Sequence, residues 1–183
     1  MKSIILAFSG SIGSGKSTLS LNVAKALNWP YVSFGNYVRA VAKIRGLEES
    51  RAVLQDVSES LIKEGWEQFC RSVLAQVAWK PGDSLVVDGI RHIEAIDTLR
   101  LLIAPSELLL IYITVNETTR KTRLRERKTA DYAHIQSIED HSTEIQVKTF
   151  LPQKADLIVS GDRSKDDLVR DILLWVQQYK ADP

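Results

Sequence analysis

Short unbroken apolar runs alternate along the chain with longer segments whose apolar residues return every three or four positions. Residues 3–9, Ser-Ile-Ile-Leu-Ala-Phe-Ser, form the first run, and an apolar run of this length predicts a strand covered on both faces. From Lys16, Leu19, Val23, Ala24 and Leu27 recur at helical spacing, and Trp29-Pro30 ends that helix. Tyr31 to Phe34 reads as a short second strand. Helices follow over 36–45 and about 50–79, where Val53, Val57, Leu61, Phe69, Val73, Leu74 and Val77 recur in helical steps and Gly65 marks a break. Pro81-Gly82-Asp83 is a turn before a third strand, Leu85 to Asp88. A helix from His92 to Ile103 stops at Ala104-Pro105-Ser106. Leu108 to Val115 is the fourth strand, and Asn116 caps a helix running to about Lys128. Residues 129–137 form a polar loop, and 138–151 a helix ended by Pro152. Asp156 to Ser160 is a fifth strand, and Ser164 caps a last helix to about Tyr179.

Strands separated by helices predict an α/β protein with a parallel sheet covered by helices on both faces. No repeat, low-complexity segment or linker interrupts the pattern, and 183 residues suit a single domain over 1–183. The composition is 44% hydrophobic and 26% charged, which excludes a disordered or fibrous chain. With 24 Lys+Arg against 23 Asp+Glu the net charge is +1, which argues against a nucleic-acid-coating or polybasic membrane protein. The longest apolar run, Leu108 to Ile113, has strand length and predicts no membrane span. The N-terminal apolar run leads into glycines and a lysine, so it reads as a strand, not as a leader. Cys70 is the single cysteine; it permits no intramolecular disulfide, suits a cytoplasmic setting and reads as a buried, bystander thiol. Three histidines without ligand spacing argue against zinc. Trp66, Trp79 and Trp175 are core or interface positions that periodicity does not separate, and the sequence carries no mark of oligomeric state.

The chemistry concentrates after the first strand. Gly10-Ser11-Ile12-Gly13-Ser14-Gly15-Lys16-Ser17, followed by Thr18, is the full G-x-x-x-x-G-K-[ST] phosphate-binding loop, set between a buried strand and an amphipathic helix. Gly10, Gly13 and Gly15 let backbone N–H groups from Ser11, Ser14 and Thr18 turn toward phosphate, and the helix adds the positive end of its dipole. Lys16 can reach the β- and γ-phosphates, and Ser17 can offer its hydroxyl to Mg²⁺. Such a loop predicts nucleotide binding but serves kinases, GTPases and mechanical ATPases alike.

Three further segments narrow the class: Ser33-Phe34-Gly35-Asn36-Tyr37-Val38-Arg39, Val86-Val87-Asp88-Gly89-Ile90-Arg91, and Thr119 to Lys128 with Arg120, Lys121, Arg123, Arg125, Arg127 and Lys128. Asp88 ends a buried strand, where open α/β sheets place their ligands and a carboxylate can hold Mg²⁺ through water. Arg91 can hold a phosphate bidentately. With the loop, these segments make the chain resemble the adenylate-kinase-like nucleoside monophosphate kinases, and more loosely the dephospho-coenzyme-A-kinase-like proteins. The resemblance covers most of the chain. It implies the P-loop NTPase fold, a five-stranded parallel sheet between helical layers, with an acceptor-binding helical region over about 33–80 and a short lid over about 120–137. By the same resemblance, Arg39 and Gly35 belong to the acceptor site with Arg91, and lid arginines Arg123 and Arg127, with Arg120 as second choice, close over the transferring phosphoryl group. Ala155 to Asp162 resembles the family's fifth strand and the loop beside the nucleotide base, which implies that Gly161 to Arg163 line the adenine pocket by backbone contact.

Two departures stand out: Asn36 replaces the usual acidic residue and reads as a helix cap, and Ile90 precedes Arg91 without a proline. Lys121, Arg125 and Lys128 read as a solvated face, and Asp131, His134, Asp140, His141 and Glu144 as surface residues near the lid. The implied reaction is Mg²⁺-dependent phosphoryl transfer from ATP to a small phosphate-bearing acceptor, a nucleoside monophosphate. The alternatives are an alcohol acceptor with Asp88 as base and a regulatory ATPase without a small acceptor.

Overall fold

Strand β1 (Ile4–Gly10) lies at the centre of a five-stranded parallel sheet in a computed structural model that describes residues 3–126 and 142–181. Its neighbours are β3 (Leu85–Ile90) and β4 (Glu107–Thr114), with β2 (Tyr31–Ser33) and β5 (Leu157–Ser160) at the edges, in the order β2-β3-β1-β4-β5. Ala7 pairs with Val87 on one side and Leu110 on the other.

Alternation along β1 feeds two separate cores. Ile4, Leu6 and Phe8 pack against Leu19, Val23 and Ala24 of α1 (Lys16–Leu27) and Leu168, Ile172 and Val176 of the last helix (Lys165–Ala181). Ile5 and Ala7 face the other way, into a core built by α2 (Phe34–Ile44), α3 (Arg51–Glu64), α4 (Trp66–Leu74) and α5 (Ile93–Leu102). Every residue of β1 is buried, which explains why the run lacks the polar alternation of a half-exposed strand. The remaining elements are α6 (Glu117–Glu126), α7 (Ser142–Thr149) and the single turn α8 (Leu151–Lys154), which makes Lys165–Ala181 helix α9.

Most boundaries follow the sequence pattern, but α4 stops at Leu74, short of the expected end near 79, because the chain turns at Ala75, β3 runs on past Asp88 to Ile90, and local readings change at Ser33, Phe34 and Pro152. Phe34 opens α2 instead of closing β2, because the Ser33 hydroxyl accepts the Asn36 N–H at 3.3 Å and turns the chain into a helix. Ser33, and not Asn36, is therefore the cap. Pro152 does not end a helix; it sits in the first turn of α8, where its missing N–H costs nothing. The expected caps at Asn116 and Ser164 are present: their side chains accept the N–H groups of Thr119 at 2.7 Å and Asp167 at 3.2 Å. Gly65 separates α3 from α4 with φ +125°. No helix among the described residues is long and apolar enough to cross a membrane.

Candidate functional site

The loop from Gly10 to Gly15 joins β1 to α1 at the C-terminal edge of the sheet. Ser14 N–H bonds the Ser11 carbonyl at 3.1 Å, and Leu19 N–H closes the first helical bond on Gly15 at 3.0 Å. Gly13 needs to be glycine twice over. Its φ is +84°, and a Cβ there would stand 3.0 Å from Cγ of Arg120. Lys16 is half-buried at the start of α1, while Ser17 and Thr18 are exposed.

β3 brings Asp88 to this loop. The carboxylate is 3% exposed, and its Oδ2 accepts the Ser17 hydroxyl at 2.8 Å. The Ser33 hydroxyl approaches the same oxygen at 3.4 Å. Oδ1 is buried and has no protein partner, a costly arrangement in the absence of a further ligand. A hydroxyl and a carboxylate are the hard oxygen donors that Mg²⁺ takes, so Ser17 and Asp88 fit that ion. Tyr31 stands beside them. Its burial and the Asp88 carboxylate push its hydroxyl up to about 12.

A cavity of about 410 Å³ opens from this point toward α2, α3 and α5. Lys16, Ser17 and Asp88 line one end, and Gly35, Arg39 and Arg91 line it as well. The structure thus brings together the phosphate loop, the strand carboxylate and both arginines singled out from the sequence. Asn36 has a role there after all: its Oδ1 accepts Nη1 of Arg39 at 3.0 Å. Sequence reasoning missed Tyr31, Arg51, Gln55, Trp66 and His92, which also line the cavity. Arg51, Gln55 and Ser58 lie four and then three residues apart on α3, so a polar stripe alongside the buried Val57 and Leu61 was the available signal.

The basic helix α6, where Lys121 and Arg125 are expected on a solvated face and Arg123, with Arg120 as second choice, in the lid, uses its cations in different ways. Arg120 is 3% exposed and donates from Nε and Nη2 to the two Glu117 carboxylate oxygens, both at 2.9 Å. Those bonds hold the Glu117 carboxyl below the usual carboxylate range. Arg123 donates from Nη1 to the Ser14 carbonyl at 3.2 Å and from Nη2 to the Gly161 carbonyl at 2.8 Å. It therefore bridges the phosphate loop to the turn after β5. Arg125 is exposed, and Lys121 reaches Glu117 at 3.5 Å. Arg127, Lys128, Asp131, His134, Asp140 and His141 lie outside the described residues, as does the side chain of Glu144.

Gly161 packs directly on the phosphate loop. A Cβ there would meet the Ser14 carbonyl oxygen at 2.5 Å, while its N–H bonds the Thr114 carbonyl at 2.7 Å. Asp162 accepts the backbone and side-chain N–H groups of Asn116 at 2.9 and 2.7 Å, fastening the start of α6 to the same turn. The Asn116 backbone bond comes first among the contacts that hold its carboxyl below the usual range. Cys70 is fully buried, and burial pushes its thiol up to about 12, so it is no nucleophile at neutral pH.

A parallel sheet in this order, with a phosphate loop after its central strand and a carboxylate on the adjoining one, is the P-loop kinase fold. The chain belongs to the AAA domain family, whose profile matches residues 9–140, and to the UPF0200 proteins. A UPF0200 protein of Pyrobaculum aerophilum is 32% identical over 127 residues, which cover 69% of this chain and 68% of that one. A UPF0200/UPF0201 protein of Archaeoglobus fulgidus is 31% identical over 92% of this chain, but the match spans only 53% of its length. Among solved structures, shikimate kinase from Acinetobacter baumannii in complex with shikimate superposes with a TM-score of 0.65 at 15% identity, covering 99% and 96% of the two chains. APS kinase from Mycobacterium tuberculosis, bound to AMPPNP and APS, gives 0.64 at 17% identity, covering 96% and 98%. At these identities the likeness is one of fold.

Proposed function

We propose that the protein transfers the γ-phosphoryl group of ATP to a small phosphate-bearing acceptor, a nucleoside monophosphate. The observation that carries this reading is the shared cavity: Arg39 and Arg91 line the space that Lys16, Ser17 and Asp88 also line. An acceptor phosphate held by the two arginines is already an anionic nucleophile at neutral pH. Its oxygen attacks the γ-phosphorus, the bond to the β–γ bridging oxygen breaks, and ADP leaves. Catalysis then rests on positioning and charge neutralisation, and no general base is needed. Lys16 meets the β- and γ-phosphates. Mg²⁺ on Ser17 and Asp88, when bound, neutralises phosphate charge. Arg123 already sits beside the loop, with Nη1 3.4 Å from where a Gly15 Cβ would stand, and Arg127 is its expected companion over the transferring group.

An alcohol acceptor is the second reading. The unpartnered Oδ1 of Asp88 supports it, since that oxygen could take a hydroxyl proton. So does the presence of shikimate kinases and a gluconokinase among the fold relatives. The test is a coupled assay with MgATP and a panel of nucleoside monophosphates, dephospho-coenzyme A, nucleosides and sugars. The proposal expects ADP release to require a monophosphate, and Arg39→Ala or Arg91→Ala to raise the acceptor KM about tenfold or more without changing the KM for ATP. Turnover with alcohols alone, or turnover needing no acceptor, refutes it.

A further inference from the structure

The wall of the cavity beside the arginines is aromatic, and nothing in phosphate recognition requires that. Phe34, Trp66, Phe69 and His92 all line it. Phe34 and Phe69 are 7% and 3% exposed, so they serve mainly as backing. Trp66 and His92 are half-buried and line the cavity. The indole of Trp66 lies nearly parallel to the Phe69 ring, with centroids 6.1 Å apart and 17° between planes. His92 meets it at 5.1 Å and 54°. Phe69 is itself held edge-on by Phe34 at 5.2 Å. The position of Trp66 is set by the break at Gly65: the chain turns there, Phe69 N–H bonds the Gly65 carbonyl at 3.1 Å, and Trp66 becomes the first residue of α4. The result is a flat ring, held by its neighbours before any ligand arrives, in the same cavity as Arg39 and Arg91, the arginines proposed to hold the acceptor phosphate. Gln55 adds to the same wall an amide able both to donate and to accept.

We infer that Trp66, supported by Phe69 and His92, is the specificity-determining platform on which a planar heterocyclic base of the acceptor stacks. The acceptor is then a phosphate ester carrying a nucleobase, not a sugar phosphate or other ringless ester. This inference rests on the reading of the cavity as the acceptor site. It does not depend on turnover, because stacking is measured by binding.

The experiment compares each nucleoside monophosphate with ribose 5-phosphate, which keeps the phosphate and loses the base. Both are titrated calorimetrically and by indole fluorescence against native protein, Trp66→Phe and Trp66→Leu. Native protein is expected to bind at least one monophosphate about tenfold to a hundredfold more tightly than ribose 5-phosphate, with indole quenching by the monophosphate alone. Trp66→Leu is expected to lose that preference, and Trp66→Phe to keep most of it. In turnover, Trp66→Leu raises the monophosphate KM with kcat little changed, which a merely structural residue would not do. Equal binding of the two ligands by native protein overturns the inference, as does an equal loss for both in Trp66→Leu. If Trp66→Leu does not fold, the quenching of native protein decides: no quenching by any monophosphate overturns it. A monophosphate that binds and quenches but is never phosphorylated removes the proposed reaction and leaves the platform standing. One that is phosphorylated with unaltered KM in Trp66→Leu does the reverse.

Discussion

Replacing Gly161 by alanine tests whether the turn after β5 really braces the phosphate loop. The added methyl carbon would lie 2.5 Å from the Ser14 carbonyl oxygen and 3.0 Å from both the Thr114 carbonyl oxygen and Ile113 Cγ2. A carbon tolerates an oxygen at about 3.3 Å, so the turn must retreat by about 0.8 Å. Two of the three obstacles are backbone carbonyls, which cannot rotate aside. The retreat stretches the 2.7 Å bond from Gly161 N–H to Thr114 and the 2.8 Å bond from Arg123 to the Gly161 carbonyl. Overpacking of this kind costs about 1–3 kcal/mol, or a fall of about 3–10 °C in Tm for a chain of this size. Thermal melts with and without MgATP read it out. The variant should melt lower, and the upward shift produced by saturating nucleotide should shrink, because Ser14 belongs to the loop. Arg123→Ala removes the same brace from the other side, so the two losses should be less than additive in the double variant. A Gly161→Ala protein melting within about 1 °C of native, with an unchanged nucleotide shift, would refute the reasoning.

Two further outcomes follow from the site. Asp88→Asn keeps the shape and removes the charge that fits Mg²⁺; turnover should fall about a hundredfold, while Tm holds or rises because a buried, half-unpartnered carboxylate is gone. A large loss of Tm with turnover intact would contradict the assignment. Glu117 has a folded-state pKa held below its ordinary value by the buried Arg120. Its contribution to stability is therefore present above the unfolded value of about 4.3 and fades as pH falls through the lower folded value. Glu117→Gln should melt below native protein at pH 7, with the gap closing in acid; a gap independent of pH would exclude the pair as its source.

What the sequence made legible is what depends on neighbours along the chain. The apolar run of β1, the glycines and lysine that follow, the Gly65 break and the Asn116 cap all act within a few residues, and all appear where expected. Phe34 was misplaced because an aromatic extends an apolar run, whereas the deciding bond is from the Asn36 N–H back to Ser33. Arg120 reads from the sequence as a second-choice lid arginine; the packing of α6 over Gly13 buries it against Glu117 instead. The weight on Gly161 comes from Ser14, far away in sequence, and no local pattern carries such a contact. The cavity wall was legible in Arg39 and Arg91, which sit in recognisable segments. Trp66, Gln55 and His92 became part of it only when three helices met.

The sheet order also dictates when the phosphate loop can exist. β1 is made first, yet its two partners, β3 and β4, pair with it from about 80 and about 100 residues further on. A nascent chain emerging from the ribosome therefore carries β1 with at least one edge unpaired until Thr114 is out. Parallel pairings at such separations fold slowly, and their unpaired strands are prone to aggregate in the interval. The loop also gains one of its walls late, since Ile113 of the fourth strand packs against Gly10. Truncations that stop short of β4 should behave as chaperone substrates and not as weak nucleotide binders.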